Sequence, residues 1–308
     1  MDILQLIITA TINYAAIMLV VALGGMFSER SGVINIALDG TMIVGALAGS
    51  LFLASVSKPG TVPDNPMMLQ LVTILISAFA GGIYSLLLAF ASVNLKADQT
   101  IGGTALNLLG AALAVLLSKI VAGNVLVRFS KIGFEVGGGI YLTTIVIFVI
   151  MIVATIILYK TKFGLRLRAC GEHPQAADAL GINVYKMRYA GVIISGCLGG
   201  IGGLQFIIPF LSEFNAEAGV MGYGFLALAV MIFGNWNPIK ILFASLFFGF
   251  FTTIGNSYSA IPWLYEFISN KYVYKALPYI ATMIILIFSS KHSRAPKAEG
   301  IAYDKGLR

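Results

Sequence analysis

Residues 160–188 read KTKFGLRLRACGEHPQAADALGINVYKMR, the one sizeable polar segment inside this chain. The sequence turns apolar at once on both sides, over 140–159 before it and 189–211 after it. A helix needs about 20 apolar residues to cross the hydrocarbon layer, and each flanking run has that length. The polar segment therefore connects two membrane spans. It carries Lys160, Lys162, Arg166, Arg168, Lys186 and Arg188 against only Glu172 and Asp178. Connectors rich in lysine and arginine stay on the cytoplasmic side, so the segment is expected there.

Working outward, the chain offers nine apolar stretches of roughly spanning length: 3–26, 33–56, 68–92, 101–122, 140–159, 189–211, 219–234, 239–258 and 273–290. They are continuous rather than alternating, which favours helices over barrel strands. The seventh is short enough to be broken or only partly inserted. The expected fold class is an all-α integral membrane protein of about nine transmembrane helices, with residues 1–290 as the membrane domain and 291–308 as a basic tail. Lys291, Arg294, Lys297, Lys305 and Arg308 make that tail basic. With connector and tail both cytoplasmic, fourteen of the twenty basic residues face the cytoplasm and six lie at or beyond the outer boundary. The N-terminus is then expected outside and the C-terminus inside. The first 26 residues lack a basic leader and read as a retained span rather than a signal peptide.

Composition agrees. Of 308 residues, 58% are hydrophobic and only 11% charged, against roughly 25% charged in ordinary globular domains. That excludes a water-soluble enzyme, a disordered chain and a conventional nucleic-acid-binding domain, despite the net charge of +7. Eleven basic residues cluster in 160–188 and 291–308, a pattern of topology rather than of a phosphate-binding face. The cysteines Cys170 and Cys197 lie one in a polar and one in an apolar stretch, so both are expected reduced. No Gly-Lys pair exists, hence no phosphate loop of the Walker type. His173 and His292 are the only histidines. No catalytic residues and no metal site are expected. Gly222-Tyr-Gly-Phe-Leu-Ala227 matches a loose dinucleotide fingerprint but sits in an apolar run without a βαβ context, a chance match.

A few residues stand out. Asn35 and Asp39 share one face if INIALDG is helical, since they are four apart. An ionisable group inside a span is costly and faces protein or water. Asp39 is therefore either a polar contact in a pathway through the bundle or at a helix break, or it caps a half-helix or pairs with Arg30 near the cytoplasmic interface. Asn13, Asn107 and Gln205 are further polar residues within spans, either pathway contacts or interhelical glue. Gly45 and Gly49, and Gly199 and Gly203, have the four-residue spacing that brings helix backbones close. Gly81-Gly82 and Gly102-Gly103 are candidate kinks. In the connector, Pro174 suits a first helical turn and Gly181 a stop, which predicts a short helix between them. Arg166 and Arg168 precede it and Glu172 sits at its positive end. Small Ala176 and Ala177 would let a partner approach closely.

Two segments together, FSERSGVINIALDGTMIVGA at 27–46 and TKFGLRLRACGEHPQAADALGINV at 161–184, resemble the permease subunits of bacterial ABC importers for simple sugars, branched-chain amino acids and nucleosides. GYGFLALAVMIFGNWNP at 222–238 and KADQTIGGTALNLL at 96–109 are similar to two more blocks of that family, so the resemblance runs from about residue 20 to 290. The ERSGVINIALDG form is similar to the nucleoside-type permeases, purine nucleosides included; simple-sugar permeases usually carry a GGIDLSVG-like block there. The resemblance implies a type II ABC importer-like permease in the bacterial plasma membrane. It implies a second permease subunit, commonly a paralogue, around a central pathway, and a lipoprotein or periplasmic binding protein that delivers substrate. It also implies a cytoplasmic ATPase that binds ATP and Mg, since this chain carries no such cofactor, and a coupling helix at 172–182 that docks on it. Members often have ten spans, with one more before the segment matching 3–26. A simple-sugar permease is the alternative cargo class. An ion-coupled secondary transporter fits less well, because Asp39 is the only mid-span ionisable candidate.

Overall fold

The computed structural model describes residues 3–57, 60, 62–258, 271–289 and 294–306, so Lys291, His292 and Arg308 of the expected tail lie outside the described residues. The chain forms α1 (Ile3–Arg30), α2 (Leu38–Val56) and α3 (Pro66–Ala89), the last continuing as a π-helical turn, Phe90–Asn94. Next come α4 (Gln99–Ala122), three short strands β1 (Leu126–Arg128), β2 (Glu135–Gly137) and β3 (Ile140–Tyr141), and α5 (Leu142–Lys160). The connector folds as α6 (Lys162–Glu172) and α7 (Pro174–Ala179). The chain ends with α8 (Val184–Ile207), β4 (Glu213–Asn215), α9 (Tyr223–Phe233), α10 (Pro238–Ser257) and α11 (Lys271–Ser289).

Helix starts follow local chemistry. Pro66, Pro174 and Pro238 each open a helix at the position where a missing N–H costs nothing. Asp98 accepts from the backbone N–H groups of Thr100 and Ile101, both at 2.9 Å, and caps α4. Asn237 and Asn183 do the same for α10 and α8, from Ile239 N at 3.0 Å and Lys186 N at 3.0 Å.

Among the described residues, seven helices are long and apolar enough to cross a bilayer: α1, α2, α3 with its π-helical extension, α4, α5, α8 and α10. The expected count of about nine spans is not confirmed among the described residues. The run 219–234 yields only the 11-residue α9, because 216–222 are spent on turns and Gly222 takes a left-handed φ of 77° as its N-cap. The run 273–290 folds as α11, with Pro278 inside it. The connector also holds more structure than expected, since a second helix, α6, precedes the short one.

α8 lies at the centre, packed on α1, α2 and α3. Glycine makes this possible. A Cβ on Gly45 of α2 would overlap the backbone of Gly200 in α8, and one on Gly81 of α3 would overlap Gly196 and Gly200. Three backbones thus meet with no side chain between them, as close small-residue packing in lipid requires. Gly81 and Gly82 serve this contact rather than a kink, both lying inside α3. Gly200→Val should therefore remove most folded protein from the membrane, since overpacking costs about 1–3 kcal/mol or more and backbone cannot yield. Detergent-solubilised chromatography of the variant checks this, and a wild-type monodisperse yield would refute it.

The outer faces of α3, α4 and α5 are apolar and exposed, with Phe79, Leu108 and Ile152 among them, as expected of surfaces that face lipid or another membrane chain. One end of the bundle carries α6, α7 and the tail. The opposite end is covered by the antiparallel pairs β1–β4 and β2–β3.

Candidate functional site

The break between α1 and α2 is the first notable feature. Residues 31–37 are not helical, and Gly32 takes a φ of 95°. The segment turns back from the end of α1 into the bundle. Asn35 donates through Nδ2 to Ser195 Oγ at 2.8 Å and is fully buried. Ser195 is the twelfth residue of α8, about 17 Å along it at 1.5 Å per residue, so α2 begins near mid-depth. α9 also begins there, for Asp39 Oδ1 accepts from the Gly224 N–H at 2.9 Å. From this junction α2 runs to the β-strand end. α9 runs the other way, to Trp236, whose Nε1 donates to Glu29 near the end of α1. The full-length α2 and the half-length α9 thus meet at their N-termini, with one carboxylate in the first turn of α2 satisfying the second residue of α9. A negative group is favoured at such positive ends.

The break is held by side-chain amides. Asn107 Oδ1 accepts from Gly40 N at 2.7 Å, and its Nδ2 donates to Ile36 O at 2.9 Å. Gln99 Oε1 accepts from Ile34 N at 2.7 Å. Ser28 Oγ donates to Val33 O at 2.7 Å. Backbone groups that lost helical partners inside an apolar bundle are replaced one by one, because each orphan would cost about 1–3 kcal/mol.

This geometry revises several sequence expectations. Asn35 and Asp39 do not share a helix face, since Asn35 precedes the helix. Asp39 caps a half-helix, one of its two proposed structural roles. Arg30 does not pair with Asp39; its guanidinium lies 3.7 Å from Glu172 and donates to Trp236 O at 3.2 Å. Asn13 is a bracket near the β-strand end, donating to Gly139 O at 2.9 Å and accepting from Thr144 Oγ1 at 2.8 Å, to which Gln205 also donates at 2.8 Å. Asn107 and Asn13 are therefore occupied in holding backbone and neighbouring helices. Sequence reasoning missed Gln99, Ser195, Gly222 and Gly224. The dismissed glycine pattern at 222–224 was the available signal: Gly222 supplies the turn, and a Cβ on Gly224 would strike the backbone of Asp39.

The second feature is the α6–α7 end. α6 packs so closely on the end of α1 that a Cβ on Gly171 would overlap Arg30 O. α7 ends as expected at Gly181, whose φ is 79°. Gly181 N donates to Asp178 O at 2.9 Å and Ile182 N to Ala177 O at 3.0 Å, the paired bonds of a Schellman motif. Arg166 is exposed, whereas Arg168 lies over the Tyr159 ring at 5.0 Å and donates to Gly164 O at 3.4 Å. Glu172 pairs with Arg30 just before α7. Pro174 and Ala177 are buried. This corrects the expectation that Ala177 offers a small surface to a partner: it faces inward, against Cys170, Val184 and Tyr303. The outward face of α7 is Gln175, Ala176 and Ala179, followed by Leu180. Burial in this small core pushes the Cys170 thiol up to about 11, with Arg188 pulling it back, so Cys170 is an inert packing residue.

The tail is not a free basic segment. Residues 294–306 lie across this end as a strap. Arg294 N donates to Asn235 Oδ1 at 3.0 Å, Ala298 N to Gly171 O at 2.8 Å, and Asp304 pairs with Lys96. Arg188, one of the basic residues of the connector, is buried beneath the strap and donates to Ile301 O at 2.9 Å. Burial raises the Glu299 carboxyl above its ordinary range, while a hydrogen bond with Glu29 and the Arg30 charge oppose the rise. Docking therefore favours a proton on the Glu29–Glu299 pair. Its contribution is present below the free carboxyl value of about 4.3 and is lost as pH climbs through the raised docked value. Glu299→Gln should tighten the strap at neutral pH and flatten its pH dependence. Hydrogen exchange over 294–306, corrected for intrinsic rates, measures both; an unchanged profile would show that Glu299 titrates as an exposed acid.

Among the described residues, no group of three or more histidines, cysteines or carboxylates could hold a metal ion. The arrangement is one of packed helices, a mid-depth break and a pinned end, which suits movement rather than chemistry.

Comparison with known proteins agrees with that reading. Residues 7–287 match the family model described as branched-chain amino acid transport system / permease component. The guanosine ABC transporter permease protein NupQ of Bacillus subtilis is 39% identical over 323 residues, covering 100% of this chain and 99% of that protein. The nucleoside ABC transporter permease protein NupC of Lactococcus lactis is 38% identical, with 98% of each chain covered. The nucleoside ABC transporter permease protein NupB of the same organism is 23% identical over 77% of this chain and 68% of its own length. No solved structure matches significantly. A helical, multi-pass bundle matched from end to end by transport subunits has one family placement: the chain belongs to the branched-chain amino acid transport system permease component family, the membrane subunits of multi-component ABC transporters.

Proposed function

We propose that this chain is the permease subunit of an ATP-driven importer for nucleosides. The observation that carries this is end-to-end similarity to two permeases whose names specify guanosine and nucleosides, at 39% and 38% identity. The helix break supports it. In secondary transporters, discontinuous helices that meet near mid-membrane form the working site, and α2 and α9 meet in a comparable way at Asp39. In this reading Asp39 and Asn107 hold the junction beside the pathway, and Asn35 anchors it to the central α8.

The chain crosses the membrane nine times if α11 spans and α9 counts with the turns before it as one broken crossing. The N-terminus is then outside, and α6, α7 and the strap are cytoplasmic. A second permease subunit, paralogous or identical, completes the pathway. A substrate-binding lipoprotein or periplasmic protein delivers cargo outside. A cytoplasmic ATPase holds ATP and Mg, and α7 is the coupling helix that docks on it. Close contact between Gly171 of α6 and Arg30 links the α6–α7 pair to the end of α1, and hence to the break.

Uptake of radiolabelled guanosine by the reconstituted importer, with ribose and leucine as competitors, tests the cargo. Competition by other nucleosides alone is expected; efficient competition by ribose would reassign the importer to sugars. Single cysteines at Gln175 and Leu180, in a chain without Cys170 and Cys197, test the orientation. Labelling by an impermeant reagent added to intact cells would reverse it.

A further inference from the structure

The strap faces the same side as α7, and between them lies a cleft of about 220 Å³. One wall is Glu172, His173, Pro174 and Gln175; the other includes Lys297 and Ile301. We propose that this cleft is the second half of the ATPase-docking surface, so that the partner ATPase grips α7 and the strap together. The proposal rests on the coupling role of α7 given above.

Three observations carry it. The first is exposed apolar surface in the wrong solvent. Leu180 is 83% exposed and Ile301 59% exposed, and both lie on segments beyond the membrane-spanning helices, where water rather than lipid would meet them. Ile301 lines the cleft and Leu180 ends the helix that opens it, so a partner covering both would take apolar surface out of water. The second is rigidity. The Ile301 carbonyl is held by the buried Arg188 at 2.9 Å, Ala298 N is held by Gly171 O at 2.8 Å, and the Tyr303 ring stands edge-on to Tyr185 at 5.4 Å. Lys305 reaches Asp178 of α7 at 3.9 Å, tying the two walls. A cleft whose far wall is pinned costs little ordering on binding. The third is continuity: Pro174 and Gln175, which open α7, are themselves part of the cleft. A partner engaging the outward face of α7 meets the strap at once. The matching surface of the ATPase is an apolar side chain to fill the cleft against Ile301, with an acidic group at its rim facing Lys297, where charge sets orientation.

The consequence is mechanical. The strap also holds Asn235 through Arg294 N and meets Glu29 through Glu299. A grip on both walls therefore moves the ends of α1 and α9 together, and these helices flank the mid-depth junction.

The test uses the complete importer with ATPase co-purification as the readout. Ile301→Arg and Lys297→Glu both change exposed side chains, so membrane levels should stay at wild type. Ile301→Arg should lower ATPase yield about tenfold, the scale of losing one interface anchor, and Lys297→Glu should lower it less and in a salt-dependent way. Leu180→Arg, on α7 alone, serves as the comparison. Loss with Leu180→Arg but wild-type yield with both strap variants overturns the cleft and leaves α7 as the sole dock. Wild-type yield with all three overturns the coupling role of α7 as well.

Discussion

Asp39→Leu abolishes uptake while Asp39→Asn keeps most of it: that is the result expected if the side chain works as a cap that joins α2 to the start of α9. Leucine removes the acceptor at 2.9 Å from Gly224 N and leaves a helix-end N–H unpaired in an apolar bundle. The cost is about 1–3 kcal/mol, and leucine must also fit where Gly224 touches the Asp39 backbone. α9 would then lose its fixed start relative to α2, and the junction its geometry. Asparagine keeps a carbonyl oxygen in the same place and gives up only the charge, worth about 0.3–1 kcal/mol at a helix N-terminus. Uptake per inserted transporter, together with thermal stability in detergent, reads both effects. Loss with Asp39→Asn at unchanged stability would show that the negative charge itself is needed. Wild-type uptake with Asp39→Leu would remove the junction from the mechanism. Asn107→Leu should resemble Asp39→Leu, since it orphans both Gly40 N and Ile36 O.

Ala177→Trp has the second large effect, and it acts on the seating of α7 rather than on the surface a partner would meet. The residue faces Cys170, Val184 and Tyr303 with 3% exposure, so tryptophan cannot fit without lifting α7 off its seat. Overpacking of this kind costs about 1–3 kcal/mol or more. The seat is small and lies outside the spans, so the bundle should still insert. Normal membrane level, lost ATPase association and lost uptake are the expected outcome. Ala176→Trp, on the exposed face of the same helix, separates docking from seating: it should block association while leaving the strap as protected from proteolysis as in wild type. Wild-type association and uptake in both variants would leave α6 and α7 as a structured connector with no partner.

The membrane fold, the place of the connector and the family were legible because they depend on local or additive properties. A run of about 20 apolar residues has few alternatives in lipid, and seven such runs became full-length helices. Pro174 and Gly181 mark the ends of α7 for reasons internal to the peptide, so that helix was read nearly to the residue. The close glycine contacts were visible as spacing, although their partners were not. What only the tertiary structure decided involves groups far apart in sequence. Asp39 and Gly224 are 185 residues apart, and no local pattern says that one caps the other. Asn107 looked like interhelical glue, yet its two bonds go to the backbone of a break 67 and 71 residues away. Ala177 was read as surface because a six-residue helix has no periodicity long enough to show which side is buried. Arg188 and the tail read as solvated because charge usually means water. Arg188 is buried because the strap folds back over α8, with Ile301 O placed 113 residues from the guanidinium it accepts from. Hydrophobic length is a sum along the chain, whereas a cap, a bracket or a strap is a match between two distant places, and only the folded bundle brings those places together.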